Sequence, residues 1–91
     1  MSPIITHDRN ARRFETTVDG ALCELDYHLA DGVMTITHTG VPPQVGGRGL
    51  AAALVEIALT TARAEGWKVV PACSYADVWM RRHPDFDDLR A

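Results

Sequence analysis

Cysteine is scarce in this 91-residue chain: only Cys23 and Cys73, with no C-x-x-C spacing and no paired histidines nearby. That excludes a disulfide framework and argues against a zinc site, so each is read as a separate thiol. A basic surplus is also missing. Nine lysines and arginines face twelve acidic residues, a net charge of -3, which gives no electrostatic reason to expect nucleic acid or an anionic membrane as partner. No apolar run approaches membrane-spanning length, and Met1 to Asp8 lacks both the basic flank and the apolar block of a signal peptide. The chain is therefore expected in the cytoplasm. Repeats and low-complexity tracts are absent too.

What is present describes one domain over residues 1–91, 46% hydrophobic and large enough for a single modest core. Val18-Asp19-Gly20 and Asp31-Gly32 are turn signals. Between them Cys23, Leu25, Tyr27 and Leu29 alternate with Glu24, Asp26 and His28, the pattern of a strand with one wet face. Val33 to Thr39 is rich in β-branched residues and places Met34, Ile36 and His38 on one face. Three strands in an antiparallel meander are expected from about Arg13 to Thr39. Pro42-Pro43 removes two amide donors in succession and ends the ladder.

A helix is predicted from about Gly47 to Glu65, with Leu50, Leu54, Ile57, Ala58 and Thr61 at helical spacing and Gly66 as its stop. Trp67 to Ala72 reads as a buried strand reached by a right-handed crossover, hence parallel to the third strand. Those two neighbours are expected to splay apart after Val41 and Val70. Ser74 to Arg82 gives one short helix, broken by His83-Pro84, and Asp85 to Ala91 is expected to be loosely held. The result is an α+β fold of order β-β-β-α-β-α, mostly antiparallel with one parallel crossover.

The most informative stretch is Val41-Pro42-Pro43-Gln44-Val45-Gly46-Gly47-Arg48-Gly49-Leu50, three glycines and no acidic side chain just ahead of a helix. Amide hydrogens at a helix start point outward, the helix dipole favours an anion there, and absent Cβ atoms allow close approach. Gly47-x-Gly49-x-x-Ala52 satisfies a dinucleotide fingerprint, but the chain is too short for that fold and has Val69-Val70-Pro71 where an acidic residue is needed. No Gly-Lys-Ser/Thr follows, which excludes a nucleoside-triphosphate loop. The bland alternative is a tight turn that simply needs positive φ.

The remaining pattern, Gln44-x-x-Gly47-x-Gly49, resembles the pyrophosphate-binding segment Q/R-x-x-G-x-G/A of the GCN5-related N-acetyltransferases. Thr37 to Pro43, Val69 to Ser74 and Arg82-His83-Pro84 are similar to a compact single-domain subgroup of that family. The chain departs from ordinary members at its N-terminus, with no room for the opening strand and two helices that help build an acceptor site. The resemblance implies acetyl-coenzyme A as cosubstrate, without metal, its pyrophosphate held by amides of Val45, Gly46, Gly47, Arg48, Gly49, Leu50 and Ala51. It implies main-chain groups of Thr39 and Val41 along the pantetheine arm, with Gln44, Ser74 and His83 beside the cofactor groove.

Three residues are candidates for the chemistry. Cys73, at a strand end and ahead of a helix, is a nucleophile, an acid that reprotonates the leaving thiolate, or a small buried hydrophobe. His38 is either a core histidine or the base that deprotonates an acceptor amine, converging with Cys73 on the thioester. Tyr75 is a proton donor or a packing group, and Arg48 a phosphate ligand or a solvated helix residue. Trp79 reads as core. The expected activity is acetyl transfer to an amine the sequence does not identify; the alternative is a module that binds coenzyme A or its acyl esters without transfer. The surfaces that would read the acceptor are either absent or borrowed from a partner, so oligomeric state stays open.

Overall fold

The computed structural model describes residues 3–91. Five strands form one sheet in sequence order: β1 (Thr6–Asp8), β2 (Arg13–Val18), β3 (Ala21–Ala30), β4 (Val33–Gly40) and β5 (Lys68–Pro71). The first four pair antiparallel, and β5 joins β4 in parallel after the crossover helix α1 (Leu50–Glu65). A second helix, α2 (Ser74–Arg81), and a 3-10 turn at Pro84–Leu89 complete the chain. No helix among the described residues is long and apolar enough to cross a membrane.

The two Asp-Gly turns behave as their chemistry requires. Asp19 and Gly20, and again Asp31 and Gly32, all take positive φ, the mirror-image turn whose twist matches the flanking strands. Helix α1 stops at Gly66, which is left-handed at φ 77°. Trp67 N–H then reaches the Ala62 carbonyl at 2.8 Å and Gly66 N–H the Arg63 carbonyl at 3.2 Å, the paired bonds of a Schellman end.

One face of the sheet carries the core. Phe14, Cys23, Leu25, Met34, Ile36 and Val69 are buried there against Leu54, Val55, Ala58 and Leu59 of α1 and Met80 of α2. The opposite face, with Arg13, Glu15, Glu24, Asp26 and His28, has no buried residue. The helices therefore cover one side only.

Four local expectations are corrected. A short edge strand, β1, precedes the meander; His7 holds it by stacking on Phe14 at 4.0 Å and sharing a 2.7 Å hydrogen bond with the Tyr27 hydroxyl. The buried stripe of α1 runs through Leu50, Leu54, Val55, Ala58, Leu59 and Ala62, while Ile57 is 37% exposed. Leu50, Leu54 and Ala58 of the expected stripe are buried, but apolar residues surround so much of this helix that spacing alone does not separate Ile57 from Val55 and Leu59. Strand β4 leaves the pairing at Ile36, well before the expected Val41, while β5 pairs through Pro71, one residue past Val70, and then turns toward α2.

The C-terminal segment is stitched down rather than loose. Phe86 and Leu89 are buried, the Arg63 guanidinium lies 4.9 Å above the Phe86 ring, and Arg63 Nη2 meets Asp88 Oδ1 at 2.6 Å. Ala91 N–H donates to the Val69 carbonyl at 3.0 Å beside β5. Buried aromatic area outweighs the acidic character of this stretch.

Candidate active site

The site begins with an irregularity in β4. Ile36 opposes Tyr27, but His38 opposes Asp26, so Thr37 is an extra residue and the register shifts by one. A bulge of this kind changes which face the following side chains take. Thr39 consequently opposes Leu25 on the core side. His38 goes to the open face, where its Nε2 lies 3.6 Å from Glu24 Oε1 and against the bare Cα of Gly40.

The expectation that Met34, Ile36 and His38 share a face is thus corrected, as is the convergence of His38 with Cys73. Glu24, Asp26 and His38 bring three ligand-type atoms within 4.8 Å of one another, yet Asp26 already accepts from Arg13 Nε at 2.7 Å. Cys73 lies on the other side. Its sulfur is 3.7 Å from Thr39 Oγ1, across the opening between β4 and the end of β5.

That opening exists because pairing stops. The last β4–β5 register pair is Ile36 with Pro71, and Cys73 N–H closes on the Ile36 carbonyl at 2.9 Å. Beyond this point His38 to Gly40 are paired with β3 alone. One edge of β4 is left open beside the start of α2.

Beyond the opening stands the glycine turn. Pro43–Val45 forms a single 3-10 turn anchored by the buried Val45 side chain; Gly46 is extended, and Gly47 and Gly49 are left-handed at φ 78° and 76°. Those angles are what glycine supplies. The first bond of α1 runs from Ala53 N–H to the Gly49 carbonyl at 3.0 Å, so the amides of Leu50, Ala51 and Ala52 precede any helical acceptor. No side chain caps them, and the first turn holds no acidic residue. Helix α1 thus begins at Leu50, with the glycines forming its entrance and not its first turn.

A cleft of about 290 Å³ lies against this turn, lined by Val41, Gly46, Gly47, Gly49, Leu50, Ala51, Ala52 and Tyr75. Tyr75, 40% exposed, comes from the first turn of α2 and closes the side opposite the glycines. Two larger hollows, about 430 and 480 Å³, border Pro3 and the outer side of α1. They contain neither Cys73 nor Tyr75, and size alone does not locate the chemistry.

Other expected site residues fall elsewhere. Arg48 turns away to Asp19, Nη1 to Oδ2 2.7 Å, with both side chains at least half exposed. Gln44 and Ser74 are exposed and do not line the cleft. His83 lies beyond the far end of α2, stacked on Trp79 at 3.7 Å with Nδ1 2.7 Å from the Trp79 carbonyl. Trp79 itself is core.

The ionisable groups differ by environment. Burial pushes the Cys73 thiol up, but the Ala76 amide, the Thr39 hydroxyl, the Tyr75 amide and the Thr39 backbone together outweigh it, and the net direction is down. The Tyr75 and Ala76 amides face the sulfur without closing a conventional capping bond. Burial pushes the Tyr75 phenol and the fully buried Cys23 thiol up. The two sulfurs thus shift in opposite directions, Cys73 at the opening and Cys23 in the core.

The fold is a one-sided α+β sheet, split beside a glycine turn whose helix-start amides have no acceptor among the described residues. The sequence then decides the family. Residues 13–89 match the family described as GCN5-related N-acetyl-transferase, and the chain belongs to that family. It is also similar to the solution NMR structure of a GCN5-like candidate N-acetyltransferase from Staphylococcus aureus. The two share 27% identity and a TM-score of 0.77, over 100% of this chain and 91% of that one. No curated protein is significantly similar to it in sequence.

Proposed function

We propose that this domain binds acetyl-coenzyme A and transfers the acetyl group to an amine. The observation that carries the reading is the shared cleft: the free amides at the start of α1 and the Tyr75 ring line one cavity, with Cys73 at the adjoining strand opening. The pyrophosphate lies on the amides of Gly47 to Ala51, where the helix dipole and unpaired N–H groups favour it; the expected Val45 and Gly46 amides are already donated to the Pro42 and Pro43 carbonyls at 3.1 Å each. The pantetheine arm follows the open edge of β4 at Thr39 and Val41, taking the hydrogen bonds that β5 leaves unmade.

In direct transfer the amine nitrogen attacks the thioester carbonyl, the C–N bond forms and the C–S bond breaks. The amine nitrogen sheds its proton to water, while coenzyme A leaves as a thiolate and takes a proton from Tyr75, whose phenol burial keeps protonated and which solvent reprotonates after transfer. Cys73 suits the other route: its thiolate takes the acetyl group first and then yields it to the amine. His38, on the opposite sheet face beside Glu24, is left without a part in either route. Release of free coenzyme A across a panel of amines tests the reading. Transfer is expected to fall at least tenfold in Tyr75→Phe if that hydroxyl is the acid, and to vanish in Cys73→Ala if the acetyl passes through sulfur. No release above the uncatalysed rate with any amine counts against transfer.

A second reading is binding without transfer. It is favoured by the lining of the two larger hollows, which includes neither Cys73 nor Tyr75 and so offers no room for an acceptor beside them there. Coenzyme A binding with no release would select it.

A further inference from the structure

We propose that Thr39 is a positioning residue for Cys73, its hydroxyl holding the sulfur at the strand opening and stabilising it in the thiolate form. The inference rests on reading Cys73 as part of the proposed cofactor site, and it gives the Thr39 side chain a role beyond any main-chain contact to a cofactor. Three observations lead to it. The extra residue Thr37 turns Thr39 to the core side of β4; without that insertion His38 would occupy this face. Thr39 Oγ1 is 3.7 Å from Cys73 Sγ, bridging β4 to the start of α2 where no strand pairing joins them. And the largest influences on this sulfur besides burial are neutral: Thr39 from β4 and the Tyr75 and Ala76 amides from α2.

The contact can run in either direction. While Cys73 is a thiol, S–H donates to the Thr39 oxygen. When the thiol loses its proton to water, the hydroxyl rotates and donates to the sulfur anion, a charge-assisted bond stronger than the first. A hydroxyl is the one side-chain group of this size that serves both states. Threonine also has a methyl group that stays on the apolar side, so the reversal needs no movement of the strand. The bulge thus decides the identity of the cysteine's partner, placing a neutral hydroxyl where a histidine would otherwise stand.

The test uses the free protein and iodoacetamide, so it does not depend on coenzyme A. Cys23 is fully buried, and peptide mass mapping assigns modification to Cys73. The rate of Cys73 alkylation is followed against pH in the wild type, Thr39→Val, Thr39→Ala and Thr39→Ser, each checked for a cooperative melt. The midpoint is expected to move up in Val and Ala, with alkylation at neutral pH slower by about threefold to tenfold, and to return in Ser. Thr39→Val keeps the volume; should it fail to fold, the Ala variant decides. An unchanged midpoint in the folded variant, or a Ser variant as far shifted as Val, overturns the proposal. Calorimetry with coenzyme A on the same proteins is read separately: absence of binding to the wild type removes the functional reading and leaves the alkylation result standing on its own.

Discussion

Arg48 and Asp19 are joined across the molecule, Nη1 to Oδ2 2.7 Å, so the cation of the glycine turn is tied to the β2–β3 turn and not aimed into the cleft below. Both side chains are well exposed, and such pairs contribute under about 1 kcal/mol. Asp19→Ala should therefore lower the melting temperature by only a few degrees, and mainly because alanine at this positive φ costs about 1 kcal/mol of backbone strain, not because the ion pair is lost. It should also tighten coenzyme A binding modestly, by freeing Arg48 and removing a negative charge near the anion. Calorimetry on Asp19→Ala and Arg48→Ala checks this: opposite shifts in affinity are expected, and equal shifts would show that Arg48 does not reach the phosphates.

The glycines of the turn are not equivalent to Gly40. A Cβ at Gly47 or Gly49 meets nothing within 4 Å, yet both sit at positive φ. Alanine there is expected to cost about 1 kcal/mol through backbone strain alone. At Gly40 the conformation is ordinary but a Cβ would come 2.8 Å from His38 Nε2. The imidazole is the movable end of an exposed side chain, so Gly40→Ala should be tolerated and should displace His38 from Glu24. Chemical denaturation for the first pair and the His38 ring shifts by NMR for the second give the answer.

His7 links stability to pH. Burial first, then the Arg9 guanidinium, depresses its pKa below the ordinary 6.5, while Glu65 and Asp8 act in the opposite sense. The unfolded chain therefore binds a proton before the folded one does. The stability from neutral His7 is fully present above about pH 6.5 and is lost as pH falls through the lower folded value. The advantage of wild type over His7→Gln in thermal melts should shrink between pH 7.5 and 5. A constant difference would mean that His7 stays neutral, or charges equally, in both states.

Phe86 anchors the C-terminal turn. It is buried beneath Arg63 and tilted against Trp79, with ring centroids 5.6 Å apart. Phe86→Ala should destabilise the domain by about 3 kcal/mol or more. Urea midpoints measure it, and a loss below about 1 kcal/mol would mean that the tail packs independently of the core.

Much of this fold is legible in the residues because its punctuation is strong. Two Asp-Gly pairs, the Pro42-Pro43 stop, the glycine turn and Gly66 each carry a backbone requirement few other residues meet. The bulge is different. One inserted residue among Thr35, Ile36, Thr37, His38 and Thr39 changes no propensity, and only pairing with Asp26 and Tyr27 reveals it. It moved the partner of Cys73 from His38 to Thr39. Strand β1 was hidden for a related reason, since three residues, Thr6, His7 and Asp8, are too few to show a period. The left-handed glycines of the turn were readable; the side to which Arg48 turns was not, because its partner lies in a distant turn.

The account depends on the helix-start amides gripping a diphosphate, and isothermal titration of coenzyme A into the wild type and Gly47→Glu tests it most directly. It predicts saturable binding of one coenzyme A per chain with a raised melting temperature, and loss of both in a Gly47→Glu protein that still melts cooperatively. Absence of heat and of any thermal upshift in the wild type, or binding undiminished by the glutamate, would contradict it.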